Sequence, residues 1–190
     1  MQYLIDQAGV FPARAAAHSL DLGPLADGDS PRAMFITCSD SRIVPALITG
    51  ARPGDLFELR TYGAVIPRFT PHAPAGESRT IDHAVEELKV TDIIVCGHSH
   101  CDLVETGIRT STAEDADGAT SPGGSPAPMT GDLTAAGHCH VLTQLDVLSD
   151  YPSIAPRLVD RSLRLHGWFY EIDSGATLTH RPRANAFLPL

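Results

Sequence analysis

Two apolar runs in the first hundred residues are continuous rather than alternating. "AMFIT" (Ala33 to Thr37) and "TDIIVCG" (Thr91 to Gly97) have the pattern of strands covered on both faces. "DLFELR" (Asp55 to Arg60), entered through the turn "ARPG", reads as a strand between them. Before the third strand, Ile81, Ala84, Val85 and Leu88 recur at i, i+3, i+4 and i+7, a helical stripe, with Ser78 as its predicted N-cap. Strands alternating with helical patterns predict an α/β fold with a mostly parallel central sheet and right-handed crossovers.

Residues 1–32 read as a helical arm and a breaker-rich turn, "DLGPLADGDSP". Residues 110–131, "TSTAEDADGATSPGGSPAPMTG", are acidic and rich in Gly, Pro and Ser, the composition of a surface loop. A second helix follows, with Leu133, Val141, Leu145 and Leu148 on one side. "SLRLHGWFYEIDSGATLTH" predicts strand, turn at Asp173-Ser174-Gly175, strand, with Trp168 on an edge strand packed at an interface. Nothing marks a second domain, so residues 1–190 are expected to form one.

Composition narrows the function. The 190 residues are 43% hydrophobic and 19% charged, as in ordinary globular proteins. A formal net charge of -9 disfavours nucleic acid as a partner. No apolar run reaches the roughly 18 residues of a membrane span, and the N-terminus lacks a secretory pattern, so a cytoplasmic location is expected. In that compartment the four cysteines suit metal ligation or the core better than disulfides.

The chemistry gathers at the predicted strand ends, where open parallel sheets bind ligands. The first strand ends in Cys38-Ser39-Asp40-Ser41-Arg42, the second in Arg60-Thr61-Tyr62-Gly63 and the third in Gly97-His98-Ser99-His100-Cys101. Cys38, His98 and Cys101 together offer two thiolates and an imidazole, a three-ligand zinc pattern with one open position. Asp40 either fills that position or hydrogen-bonds to a zinc-bound water. Arg42 holds Asp40 through a paired, charge-assisted contact.

Cys-x-Asp-x-Arg followed some 60 residues later by His-x-x-Cys resembles the β-class carbonic anhydrases. The resemblance extends through "FITCSDSRIVPALITGARPGDLFELRTYGAVIP", "TIDHAVEELKVTDIIVCGHSHC" and "LHGWFYEIDSG". It implies a sheet of about four or five strands with flanking helices and an N-terminal helical arm that wraps a partner subunit. It also implies one zinc per chain on Cys38, His98 and Cys101, with Asp40 and Arg42 as a catalytic dyad. The implied reaction is reversible hydration of carbon dioxide to bicarbonate by zinc-bound hydroxide, in a homodimer or dimer of dimers.

The chain departs from the family pattern at four places. The usual pocket glutamine before the first strand is Asp29. The small residues that usually follow the second zinc cysteine are Asp102 and Leu103. The turn after the second strand gains Tyr62. The loop over 110–131 stands where the family has helices. Asp29, Tyr62 and Asp102 are therefore the expected pocket residues that differ. They leave two further readings open: a zinc enzyme acting on another small carbonyl or heterocumulene, or a zinc-stabilised homologue without activity. Of the other candidates, Cys96 reads as an inert core thiol, "HCH" (His138 to His140) as no metal site, His83 as without a role, His100 as a solvent-facing spectator, and Arg60 as a structural residue that binds carbonyls or pairs with an acid.

Overall fold

The computed structural model describes residues 1–18, 20–28, 30–107 and 132–190. The loop expected over 110–131 lies outside the described residues, as does Asp29.

Two compact units make up the chain, Met1–Ser30 and Pro31–Leu190. The first consists of helices α1 (Gln2–Gly9) and α2 (Phe11–Ala17) and a 3-10 turn, Gly23–Asp27. Its helices have little of their own to bury: only Ala15 is buried, while Tyr3, Leu4 and Ile5 are 56–70% exposed.

The second unit is built on one six-stranded sheet in the order β2–β1–β3–β4–β5–β6. Strands β1 (Ala33–Cys38), β2 (Leu56–Thr61), β3 (Asp92–His98) and β4 (Arg164–Tyr170) are parallel. Strands β5 (Thr177–Arg181) and β6 (Ala186–Pro189) continue the sheet antiparallel. The fold class is the expected one, with β6 added. Trp168 is not on an edge strand: β4 lies between β3 and β5, and the Trp168 ring meets Phe35 edge-on at 5.9 Å.

The helices of this unit are α3 (Pro45–Thr49), α4 (Gly76–Glu86), α5 (102–107), α6 (Leu133–Ser149) and α7 (Ala155–Val159). The main core forms where α4 and α6 meet one face of the sheet. Met34, Ile36, Ile93 and Val95 from the strands pack with Ile81, Ala84 and Val85 of α4 and with Val141 and Leu148 of α6. Phe35, Ile94 and Cys96 occupy the opposite face with Trp168 and Tyr170. Continuous apolar runs in β1 and β3 are what such double coverage requires.

Three expectations about the helices need adjustment. Helix α4 begins at Gly76 after Ala75, so Ser78 lies inside it, buried, and hydrogen-bonds to the Tyr151 hydroxyl at 3.0 Å. Leu88 lies past the end of α4 but still packs against the core. In α6, Val141 and Leu148 are buried as expected, whereas Leu133 is 44% exposed in the first turn, where Asp132 caps the helix through the amides of Thr134 and Ala135. Gly97 lets α6 approach β3 closely, because a Cβ there would lie 2.6 Å from Val141 Cγ2.

Candidate metal centre

The parallel pairing of β1 with β3 aligns Thr37 with Cys96, so both strands end at the same edge of the sheet. Cys38 and His98 are their last residues, and Cys101 follows within one turn. The three possible ligand atoms lie within 4.8 Å of one another, and all three side chains are buried. No other such group of three or more occurs among the described residues.

Each candidate ligand is contacted by backbone groups. His98 Nδ1 lies 2.8 Å from the Ser99 carbonyl oxygen, which can only accept, so the ring carries its proton on Nδ1 and leaves the Nε2 lone pair free. Nε2 is buried and has no hydrogen-bond partner among the described residues. Burial, the largest influence, pushes the pKa of His98 down and favours the neutral ring. Cys38 Sγ accepts from the amides of Asp40 at 3.4 Å and Gly63 at 3.3 Å. Burial pushes the Cys101 thiol up, against the opposing pull of the Val104 and Leu103 amides at the start of α5. Two buried thiols around an orphaned imidazole nitrogen form a donor set suited to zinc.

Asp40 stands beside this group, and its carboxylate receives its hydrogen bonds from one residue. Arg42 donates from its backbone N to Oδ1 at 2.9 Å, from Nε to Oδ1 at 3.0 Å and Oδ2 at 3.2 Å, and from Nη2 to Oδ2 at 2.6 Å. The side-chain bonds, foremost, hold the Asp40 carboxyl well below the usual carboxylate range. Arg42 Nη2 also donates to the His100 carbonyl at 2.9 Å, tying the dyad to the turn between His98 and Cys101. Arg60 binds carbonyls, as expected: its Nη2 donates to the oxygens of Cys38, Asp40 and Ile43 and fixes the path of the loop after β1.

The pocket residues differ in their placement. Asp102 is exposed at the start of α5, close enough to Arg42 and His98 to act on their charges. Tyr62 is 58% exposed and lines an open groove with Thr61, Val65, Pro67, Glu77 and Leu103, none of them a metal ligand. His100 faces solvent, as expected, and its Nε2 lies 2.8 Å from Asp173 Oδ2. His83 is exposed near Phe57. Cys96 is an inert core thiol, fully buried and pushed up to about 12.

The "HCH" segment forms no metal cluster. His138 stacks on Phe187, Cys139 is exposed, and His140 is buried with Nε2 2.7 Å from the Gly63 carbonyl. His140, expected only not to bind a metal, and Gln144, which was not singled out, both bind the backbone that follows β2. The signal was present as two polar residues at i and i+4 on the buried stripe of α6.

Comparison with known proteins agrees with this geometry. The sequence profile of the carbonic anhydrase family matches residues 33–177. A carbonic anhydrase of Pseudomonas aeruginosa is 36% identical over 187 residues, covering 91% of this chain and 82% of its own. Carbonic anhydrase 1 of Escherichia coli O157:H7 is 35% identical over 201 residues, covering 99% and 89%. The structure of the β-carbonic anhydrase CcaA aligns with a TM-score of 0.84 at 32% identity, covering 100% of this chain and 99% of that one. One of two tetrameric β-carbonic anhydrases from Sordaria macrospora aligns with a TM-score of 0.74 at 25% identity, covering 94% and 95%. The chain belongs to the β-carbonic anhydrase family, zinc enzymes whose general activity is the hydration of carbon dioxide.

Proposed function

We propose that this chain catalyses reversible hydration of carbon dioxide to bicarbonate with one zinc ion held by Cys38, His98 and Cys101. The observation that carries the reading is the buried, unpartnered Nε2 of His98, with its tautomer set by Ser99, lying between two buried thiols. Zinc there supplies Lewis acidity and makes hydroxide available from water near neutral pH.

The chain's own residues do the rest. Cys38 and Cys101 bind as thiolates and offset the charge of the cation, while His98 stays neutral. Asp40, kept ionised by Arg42, would accept a hydrogen bond from the nucleophile's O–H and orient it toward the substrate carbon. Asp40 holds no proton at neutral pH, so it orients without acting as an acid. Arg42 keeps Asp40 in its fork, so that the carboxylate would not compete as a further ligand. Solvent or a nearby histidine would take up the proton that the activated water gives up. Asp29, Tyr62 and Asp102 modulate the pocket, the two acids opposing the approach of bicarbonate.

The chain acts as a single domain, in the cytoplasm, as a homodimer or dimer of dimers. The exposed apolar residues of α1 support self-association, and the Sordaria enzyme is a precedent within the family. No helix among the described residues is long and apolar enough to cross a membrane.

Stopped-flow hydration of carbon dioxide, on protein of measured metal content, tests the reading. The expected result is about one zinc per chain and hydration far above the buffer rate. Full zinc with no hydration would refute catalysis of this reaction and favour another carbonyl substrate or a non-catalytic role.

A further inference from the structure

The turn after β2 is held in an unusual conformation by a helix distant in sequence. Gly63 (φ 67) and Ala64 (φ 58) both lie in the left-handed region, which side chains adopt only at a cost. A Cβ on Gly63 would sit 2.8 Å from Leu103 Cδ2 and 2.9 Å from Leu103 Cβ, two residues past Cys101. Gly63 thus packs against Leu103 and beside Cys38. Its amide points at Cys38 Sγ, 3.3 Å away, and its carbonyl accepts from His140 Nε2 at 2.7 Å. One helical turn along α6, Gln144 Oε1 accepts from the Ile66 amide at 2.8 Å. Both side chains are nearly out of solvent, 9% and 6% exposed. Buried polar groups at two positions of a helix that faces the core are costly unless they are hydrogen-bonded. These two spend their hydrogen bonds on the four-residue turn from Gly63 to Ile66.

We propose that His140 and Gln144 are positioning residues of the metal centre. They lock the Gly63 turn so that its amide donates to Cys38 Sγ, and so limit how strongly that thiolate donates electrons to the metal. The inference rests on the zinc reading above. An N–H donor draws charge from sulfur, as any hydrogen bond to a charged form stabilises it. Without the brace, Ala64 and Gly63 relax out of the left-handed region and the amide leaves the sulfur. The thiolate then becomes a stronger donor, and the metal a weaker Lewis acid. The His140 ring must carry its proton on Nε2, because the Gly63 oxygen can only accept.

The test uses the full chain loaded with cadmium-113 or cobalt(II), and the zinc protein for kinetics. In the wild-type cadmium form, the Gly63 amide should show a downfield proton and a scalar coupling to cadmium through the sulfur. Metal loading should also slow exchange of the His140 Nε2 proton, since coupling between two sites is reciprocal. In His140→Ala, the cadmium coupling should vanish and the cobalt thiolate charge-transfer band should move to lower energy. Metal affinity by chelator competition should fall about 10–100-fold, and the midpoint of the pH–rate profile should rise. His140→Gln, which keeps an N–H donor, should restore most of each. If His140→Ala does not fold, the two wild-type measurements and His140→Gln still decide the question. A lower melting temperature in His140→Ala with unchanged cobalt spectrum and affinity would reduce the pair to fold support and overturn the proposal. Metal uptake without cadmium coupling at Gly63 would overturn it while sparing the zinc reading, and failure to take up any metal would overturn both.

Discussion

Replacing Arg42 by alanine separates geometry from charge at the Asp40 dyad. The Asp40 carboxylate accepts four contacts, and three come from the Arg42 side chain. The fourth, from the backbone amide to Oδ1, survives truncation. The variant therefore leaves a carboxylate pinned at one oxygen and free to swing at the other. The turn between His98 and Cys101 loses its tie through His100 as well. A mainly exposed ion pair contributes little to stability, so the melting temperature should move by no more than ~4 °C. Misplacing a catalytic group by about 1 Å, in contrast, costs on the order of 10²-fold in rate. The pH dependence distinguishes the two causes. Arg42 holds the Asp40 carboxyl below its usual range, and removing Arg42 lets it rise back toward about 3.9. That is still well below pH 6, so Asp40 stays ionised in both proteins. The loss of kcat should then be uniform from pH 6 to 9, by stopped-flow at equal zinc content. Arg42→Lys should recover only part, because an ammonium cannot form the two-pronged contact. A full-zinc Arg42→Ala protein with wild-type kcat, or a loss confined to the acidic limb, would refute positioning as the role of Arg42.

Other outcomes follow from the same coordinates. Cys38→Ser, His98→Ala or Cys101→Ala should each remove most of the zinc and lower the melting temperature, read by metal analysis and calorimetry, since site and fold are coupled. Tyr151→Phe should cost about 2 kcal/mol, a melting shift of ~4–8 °C, because the buried Tyr151 hydroxyl donates to the Pro67 carbonyl at 2.6 Å and pairs with Ser78. Gly97→Ala should cost roughly 1–3 kcal/mol in denaturant titration, as its Cβ would overlap Val141 Cγ2. Asp29→Gln with Asp102→Gly should raise hydration about tenfold, measured by stopped-flow at equal zinc content, if those acids hinder bicarbonate.

The chain shows its candidate metal ligands plainly in sequence because ligation constrains residue type: few side chains bind zinc, and three such residues end two apolar runs. The strands β1 and β3 were equally legible, since coverage on both faces leaves little room for polar residues. Strand β6 was not, because Ala186–Pro189 is four residues long, half-exposed and ends in proline. Ser78 resembled a cap because its hydroxyl does satisfy a partner, but that partner is Tyr151, 73 residues away. His140 and Gln144 escaped for a related reason. Their partners are backbone groups of another segment, and a backbone group has no letter in a sequence.

The register of the sheet has a consequence for assembly. Cys38 and His98 are 60 residues apart and meet only through the parallel pairing of β1 with β3. A slip of one residue would turn Cys38 to the opposite face and shift it along the strand by about 3.3 Å, dispersing the ligand set. With the proposed ligand set, an ion would be captured tightly only by chains whose strands are already correctly aligned. Zinc would serve as a proofreader of strand pairing, arriving late and withdrawing correctly aligned molecules from the pool of mispaired ones.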